Sequence, residues 1–178
     1  VARIATTQDF GAVAERIRQR RGGALRPLDL MLLHSPELAD GWNSLLGAIR
    51  DRIGLAGDIR ELVIMRIAVL NRAPYEWAAH AAHARREGLT EAQLAALRTE
   101  KVAEEVPVQD LTDRQRAVIA YTDAMTRDVQ VPAPVFDALR QHFTEVELVE
   151  LTATVAAYNM VSRFLVALDV EVPAAVAP

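Results

Sequence analysis

Three tetrads limit the fold of this chain more than any other feature: Thr90-x-x-Gln93, Thr112-x-x-Gln115 and Thr144-x-x-Glu147. In each, the Thr hydroxyl is placed to accept the backbone N–H three residues on. The Gln or Glu side chain is placed to accept the N–H of the Thr. Two donors that every helix start leaves free are thereby satisfied together. The same pattern has no use in a strand. Further helix punctuation surrounds the tetrads. Ser35-Pro36 reads as an N-cap followed by Pro at the first helical position. Gly88 follows "AAHARRE" where a left-handed C-terminal residue is expected. Pro107, Pro132 and Pro134 fall between periodic segments, where they interrupt no helix. No alternating β-branched run and no Asn-Gly or Asp-Gly turn competes with this signal. The expectation is an all-α chain with helices over 8–20, 26–33, 36–52, 58–71, 75–87, 91–100, 113–128, 133–142 and 145–168.

Two of these segments, "ELVIMRIAVL" (61–70) and the run over 147–168, are apolar around most of their circumference. Such a helix is buried in a core or between subunits, and here it points to a homo-oligomer. The chain has 178 residues, 51% of them apolar and 25% charged, which suits one soluble domain with its own core. Its net charge of −4 is spread along the sequence, with no basic stripe interleaved with aromatics, so no nucleic-acid partner is expected. No uninterrupted apolar run approaches the ~20 residues of a membrane span, and no membrane association is expected. The N-terminal segment is too polar for a secretory leader, which suggests a cytoplasmic protein. Cysteine is absent. That excludes disulfides, thiolate ligands, Cys nucleophiles and thiol redox chemistry.

The stretch "PYEWAAHAAHARREGL" (74–89) carries the titratable groups. Glu76, His80 and His83 are spaced i, i+4, i+7 and share one helix face. Pro74 sets the start of this helix, so Glu76 lies in the first turn, where the macrodipole favours a carboxylate. A Glu one turn before a His can also hold the imidazole in one tautomer. Glu61 opens the preceding helix, and the short connection "NRAP" makes the two helices neighbours, within reach of a Glu61–His80 contact. A cluster of this kind is one route to general acid and base roles. The same residues also suit a solvated or hydrogen-bonded helix face. A metal reading stands beside these, since Glu61, Glu76, His80 and His83 offer N and O ligands, although the order of the HExxH motif is absent. Trp77 and Tyr75 read first as packing residues. Arg66, Arg72, Arg85 and Arg163 are the cations considered for a substrate acid, with Arg66 and Arg163 equally suited to internal ion pairs.

The block "RELVIMRIAVLNRAPYEWAAHAAHARREGLT" resembles the carboxymuconolactone decarboxylase family, which includes the AhpD-like alkylhydroperoxidases. "HSPELADGWNSLLGAIR" upstream and "YNMVSRFLVAL" near the C-terminus extend the resemblance over most of 34–168. It implies an AhpD-like helical bundle as a single domain at 34–168, an N-terminal helical arm at 1–33, and a tail at 169–178. The peroxidase branch carries a CxxC pair, a His four residues after the second Cys, and a Glu on the preceding helix. Placed here, the pattern puts the Glu at Glu61 and the His at His80, with Ala73 and Glu76 in the Cys positions. Thiol peroxidase chemistry is excluded, because neither Ala nor Glu can attack a peroxide or resolve a sulfenic acid.

The decarboxylase branch implies a cofactor-independent lyase acting on a small organic acid or lactone, without a metal. His80 would be the acid/base group, Glu76 would position or polarise it, and Glu61 would complete the relay. His83, Trp77 and Arg163 are the expected substrate-binding residues. The family also implies trimers or hexamers. Two alternatives stay open: a metal-dependent enzyme using the Glu and His ligands, and a non-catalytic oligomeric binding protein.

Overall fold

The computed structural model of the chain describes residues 2–7, 11–99 and 111–172. Among them the chain forms nine α-helices and no strand. They are α1 (Ala12–Arg21), α2 (Pro27–Leu32), α3 (Pro36–Asp51), α4 (Gly57–Leu70), α5 (Pro74–Arg86), α6 (Glu91–Ala96), α7 (Asp113–Arg127), α8 (Ala133–Arg140) and α9 (Glu145–Leu168). All three Thr tetrads form reciprocal capping boxes, with the Thr hydroxyl accepting from the N–H of Gln93, Gln115 or Glu147. Ser35 is the N-cap of α3 and Pro36 its first residue, but the Ser hydroxyl makes no capping hydrogen bond.

The all-α, single-domain expectation holds. α4 is its axis: residues 61–68 are all buried, and the helix packs against α5, α7 and α9. One hydrophobic cluster runs from Ala14 and Ile17 of α1, through α2, α3 and α4, to Val161 and Leu165 of α9. The N-terminal arm therefore contributes to the same core, with α1 and α2 lying on α3.

Boundaries differ from expectation in instructive places. α4 begins at Gly57, so Glu61 stands in its second turn and Asp58 occupies the first. Glu61 is therefore not a helix-start carboxylate. The helix expected over 91–100 stops at Ala96 because the buried guanidinium of Arg66 takes the carbonyls of Leu97 and Thr99, at 2.9 and 2.6 Å. Residues 8–10, 100–110 (with Pro107) and 173–178 lie outside the described residues. α9 is, by length and composition, apolar enough to cross a membrane, which uninterrupted apolar runs did not reveal. Half of its most apolar window is buried within the bundle, as in a core helix.

The turn between α4 and α5 determines what the two helices share. The N–H of Ala73 bonds to the carbonyl of Ala68 at 2.8 Å, and that of Arg72 to Val69 at 3.1 Å. This is a Schellman closure, which needs a left-handed residue at its centre. Arg72 fills that place at φ 52°, a conformation that costs a non-glycine residue ~1–2 kcal/mol. The chain reverses in three residues, and α5 folds back along α4.

Candidate active site

Folding α5 onto α4 brings Glu61 against His80. His80 Nδ1–H donates to Glu61 Oε2 at 2.8 Å, and both side chains are buried. That bond fixes the imidazole tautomer and leaves Nε2 as the nitrogen available for proton exchange. Around Nε2 stand Arg50 Nη2 at 3.5 Å and Glu76 Oε2 at 3.7 Å. Glu76 comes from the first turn of α5, as its spacing requires. Its Oε2 is buried with no hydrogen-bond partner among the described residues. The ring of Tyr158, from α9, meets His80 edge-on with centroids 5.5 Å apart. The Tyr158 hydroxyl accepts from Arg50 Nε at 2.7 Å. Three helices thus converge with α5 on one imidazole.

The electrostatics follow from burial set against neighbours. Burial alone would push the Glu61 carboxyl up. The hydrogen bond from His80, with the charges of His80 and Arg60, outweighs it and holds Glu61 below the usual carboxylate range. Burial also works against a charged Arg50, but Tyr158, Glu76 and Glu61 keep its guanidinium firmly protonated. Burial raises the Tyr158 hydroxyl to about 12, so it serves as a neutral hydrogen-bonding group. His83 lies on the same helix face, 5.7 Å from His80 between ring centroids. Burial lowers its pKa, and the charge of His80 lowers it further.

His80, His83 and Glu61 line a cavity of about 350 Å³. Its other walls are strongly cationic, with Arg50 from α3, Arg60 from α4, and Arg20, Arg21 and Arg26 from the N-terminal helices. Asp51 and Glu87 are the remaining acids on the wall. None of these arginines is among the cations singled out from sequence. Arg50 did leave a signal: it follows Trp42 and Leu46 at helical spacing on the buried stripe of α3, where a charge has no packing purpose.

The other expected residues lie elsewhere. Trp77 faces a separate apolar groove of about 660 Å³, shared with Ala68, Val69 and Ala73, and Arg98 stacks over its indole at 4.1 Å. The two positions that thiols occupy in the peroxidase pattern are thus split, with Ala73 on this groove and Glu76 beside His80. Arg163 donates to Asn159 Oδ1 and to the carbonyl of Thr126, which binds it to α7 and away from the cavity. Arg66 pairs with Asp123 through two hydrogen bonds, and Arg85 pairs with Glu91 at the surface. Among the described residues no group of three or more His, Asp or Glu side chains is gathered as a metal site.

The profile of the carboxymuconolactone decarboxylase family matches residues 36–108, a span that includes Glu61, Glu76 and His80. Among solved structures, a protein of unknown function from Agrobacterium tumefaciens, linked by name to the antioxidant defence protein AhpD, is 26% identical. It superposes with a TM-score of 0.71 over 79% of this chain and 94% of its own. A peroxidase-related protein from Ralstonia eutropha JMP134, described as an alkylhydroperoxidase AhpD core, is 20% identical, with a TM-score of 0.79 over 99% of this chain and 94% of its own. A cysteine-to-alanine variant of the debrominase Bmp8, solved with 2,3,4-tribromopyrrole, is 18% identical, with a TM-score of 0.78 over 99% of this chain and 96% of its own. The last two likenesses are of fold. No protein of curated function matches the chain significantly.

Proposed function

We propose that this chain, which belongs to the carboxymuconolactone decarboxylase and AhpD-like family as a cysteine-free member, is a cofactor-independent acid/base enzyme acting on a small organic acid or lactone. Decarboxylation of the carboxymuconolactone type is the specific reaction we assign to it. One observation carries the reading. Arg50 Nη2 lies 3.5 Å from Nε2 of a Glu61-bound His80, and both residues line one cationic cavity.

Loss of CO₂ breaks a carbon–carbon bond and sends its electron pair into the conjugated carbonyl, giving a dienolate. Arg50, fixed by Tyr158, is the cation for the oxygen on which that charge collects. His80, protonated on Nε2, delivers a proton to the dienolate carbon, and Glu61 stabilises the imidazolium beforehand. Glu76, in a thiol's place, supports the charged imidazole from the opposite side. Arg50 takes the substrate-binding role that sequence gave to Arg163 and Trp77. His83 on the cavity wall is a contact for a substrate oxygen.

The test is ultraviolet turnover of γ-carboxymuconolactone by the purified protein, with and without chelator, beside His80→Ala. The expected result is turnover that survives chelator and falls by ~10²–10⁴-fold in the variant, the usual contribution of a positioned acid–base group. Turnover abolished by chelator would move the chemistry to a metal. No turnover would reject this substrate, and a screen of small acids and lactones would follow.

A further inference from the structure

On the wall of the cavity beside His80 five arginines face three acids, Asp51, Glu61 and Glu87, and three of the arginines come from the N-terminal segment. Arg21 is paired with Asp29 at 2.9 Å. Arg60 lies 3.6 Å from Glu61 and 3.8 Å from Glu87. Among the described residues, neither Arg20 nor Arg26 has a carboxylate in ion-pair reach of its guanidinium. The Nε of Arg20 donates to the neutral amide oxygen of Asn43, and Arg26 meets Asp29 through its backbone N–H, not its guanidinium. Burial lowers the pKa of Arg20 to about 10 and also lowers that of Arg26; in both cases Arg21 and Arg50 add to the effect, and Asp29, joined by Asp51 at Arg20, offsets part of it. The two arginines are therefore close enough to Arg50 to repel it.

Their convergence is built into the backbone. Arg20 lies in the last turn of α1 and Arg26 is the N-cap of α2. Between them Gly22 and Gly23 adopt φ of 79° and 117°, which turns the chain back so that both side chains reach one cavity. Core packing does not call for this arrangement, since like charges brought together in partial burial oppose folding. An anion held between them reverses that balance, and arginine's planar fork suits carboxylate and phosphate oxygens.

We propose that Arg20 and Arg26 bind a second, non-reacting anionic group of the substrate, so that the site selects dianions over monoanions. The ligand class is a small dicarboxylate or a phosphate monoester. This rests on the reading of Arg50 and His80 as the reacting end, and it places a specificity element outside the 36–108 span that the family profile covers. Binding energy from a remote group is also what an enzyme can use to hold the reacting carbon in place.

Calorimetric titration at low salt and about pH 8 tests it with three probes: succinate, inorganic phosphate and the monoanion propionate. The proteins are the wild type, the Arg20→Gln/Arg26→Gln double variant and Arg50→Gln, each checked for helicity. The wild type is expected to bind at least one dianion ~10–100-fold more tightly than propionate, the range of one or two charge-assisted hydrogen bonds. In the double variant that preference falls to within ~2-fold with propionate affinity unchanged, while Arg50→Gln weakens every bound probe. The charge-preserving double variant Arg20→Lys/Arg26→Lys keeps part of the preference. Succinate against phosphate separates the two ligand sources. A wild type that binds propionate through Arg50 but shows no dianion preference overturns this inference alone. A preference that survives the Gln double variant does the same. Failure of every probe to bind overturns it together with the site reading.

Discussion

At the scale of single residues, the Glu61–His80 bond fixes the imidazole tautomer and ties the acid stability of the fold to one buried carboxylate. The Glu61 carboxyl is held below its ordinary value in the folded chain, despite burial, chiefly by the hydrogen bond from His80. A depressed folded pKa contributes stability that is complete above the unfolded value, near 4.5, and is lost as pH falls through the folded value. Glu61→Gln lacks that contribution at every pH. The urea stability of wild type should therefore exceed that of Glu61→Gln most at neutral pH, with the gap closing on acidification below the ordinary carboxylate range. A gap that stays constant in acid would mean that the carboxylate form is not what the fold stabilises. Glu76, His80 and His83 were legible in the sequence because helical spacing is local, and Glu61 because the connection to α5 is short. Arg50 and Tyr158 stand 108 positions apart, and only tertiary packing joins them. Trp77 follows Glu76 by one residue, but one residue is ~100° of helix, so it looks onto another groove. By the same geometry, the five residues from Tyr158 to Arg163 turn the latter ~140° around α9.

At the scale of elements, the helix starts were legible because a capping box is written in four consecutive residues. The end of α6 was not, because it depends on an arginine that precedes it by some thirty positions. Arg66 is fully buried on α4, where its guanidinium pairs with Asp123 and holds the carbonyls of Leu97 and Thr99. It ties the central helix to α7 and to the segment leaving α6. Removing one member of a buried pair strands the others without partners, at ~3–5 kcal/mol. Asp123 is 23% exposed and regains some water, which places Arg66→Met near the lower end of that range, ~3 kcal/mol, in urea denaturation. Arg66→Met combined with Asp123→Leu should recover part of the loss, since two apolar groups leave only the carbonyls unsatisfied. If Arg66→Met proves neutral, the pair does not anchor α6.

At the scale of the whole molecule, the apolar circumference that set α4 and α9 apart in sequence has two different outcomes. α4 is enclosed by its own chain. α9 buries one side against α3, α4 and α7, and leaves Val146, Val149, Ala153, Ala156 and Met160 exposed on the other. These residues alternate at spacings of three and four, which makes one continuous stripe along the helix. Val146 is 67% exposed and Val149 69%, with Phe136 and Leu148 lining a shallow apolar depression beside Val149. We propose that this stripe is covered by other copies of the chain in a homo-oligomer, a trimer or hexamer by the family resemblance. A charge placed on a face already bathed in water changes stability by no more than ~0.5 kcal/mol. A charge placed in a subunit interface is buried without a partner and drives the copies apart. Val149→Glu and Met160→Glu should therefore lower the mass measured by light scattering towards that of one chain while leaving helicity intact. A wild type that is monomeric across the working concentration range, or variants of unchanged mass, would show that this face has another purpose.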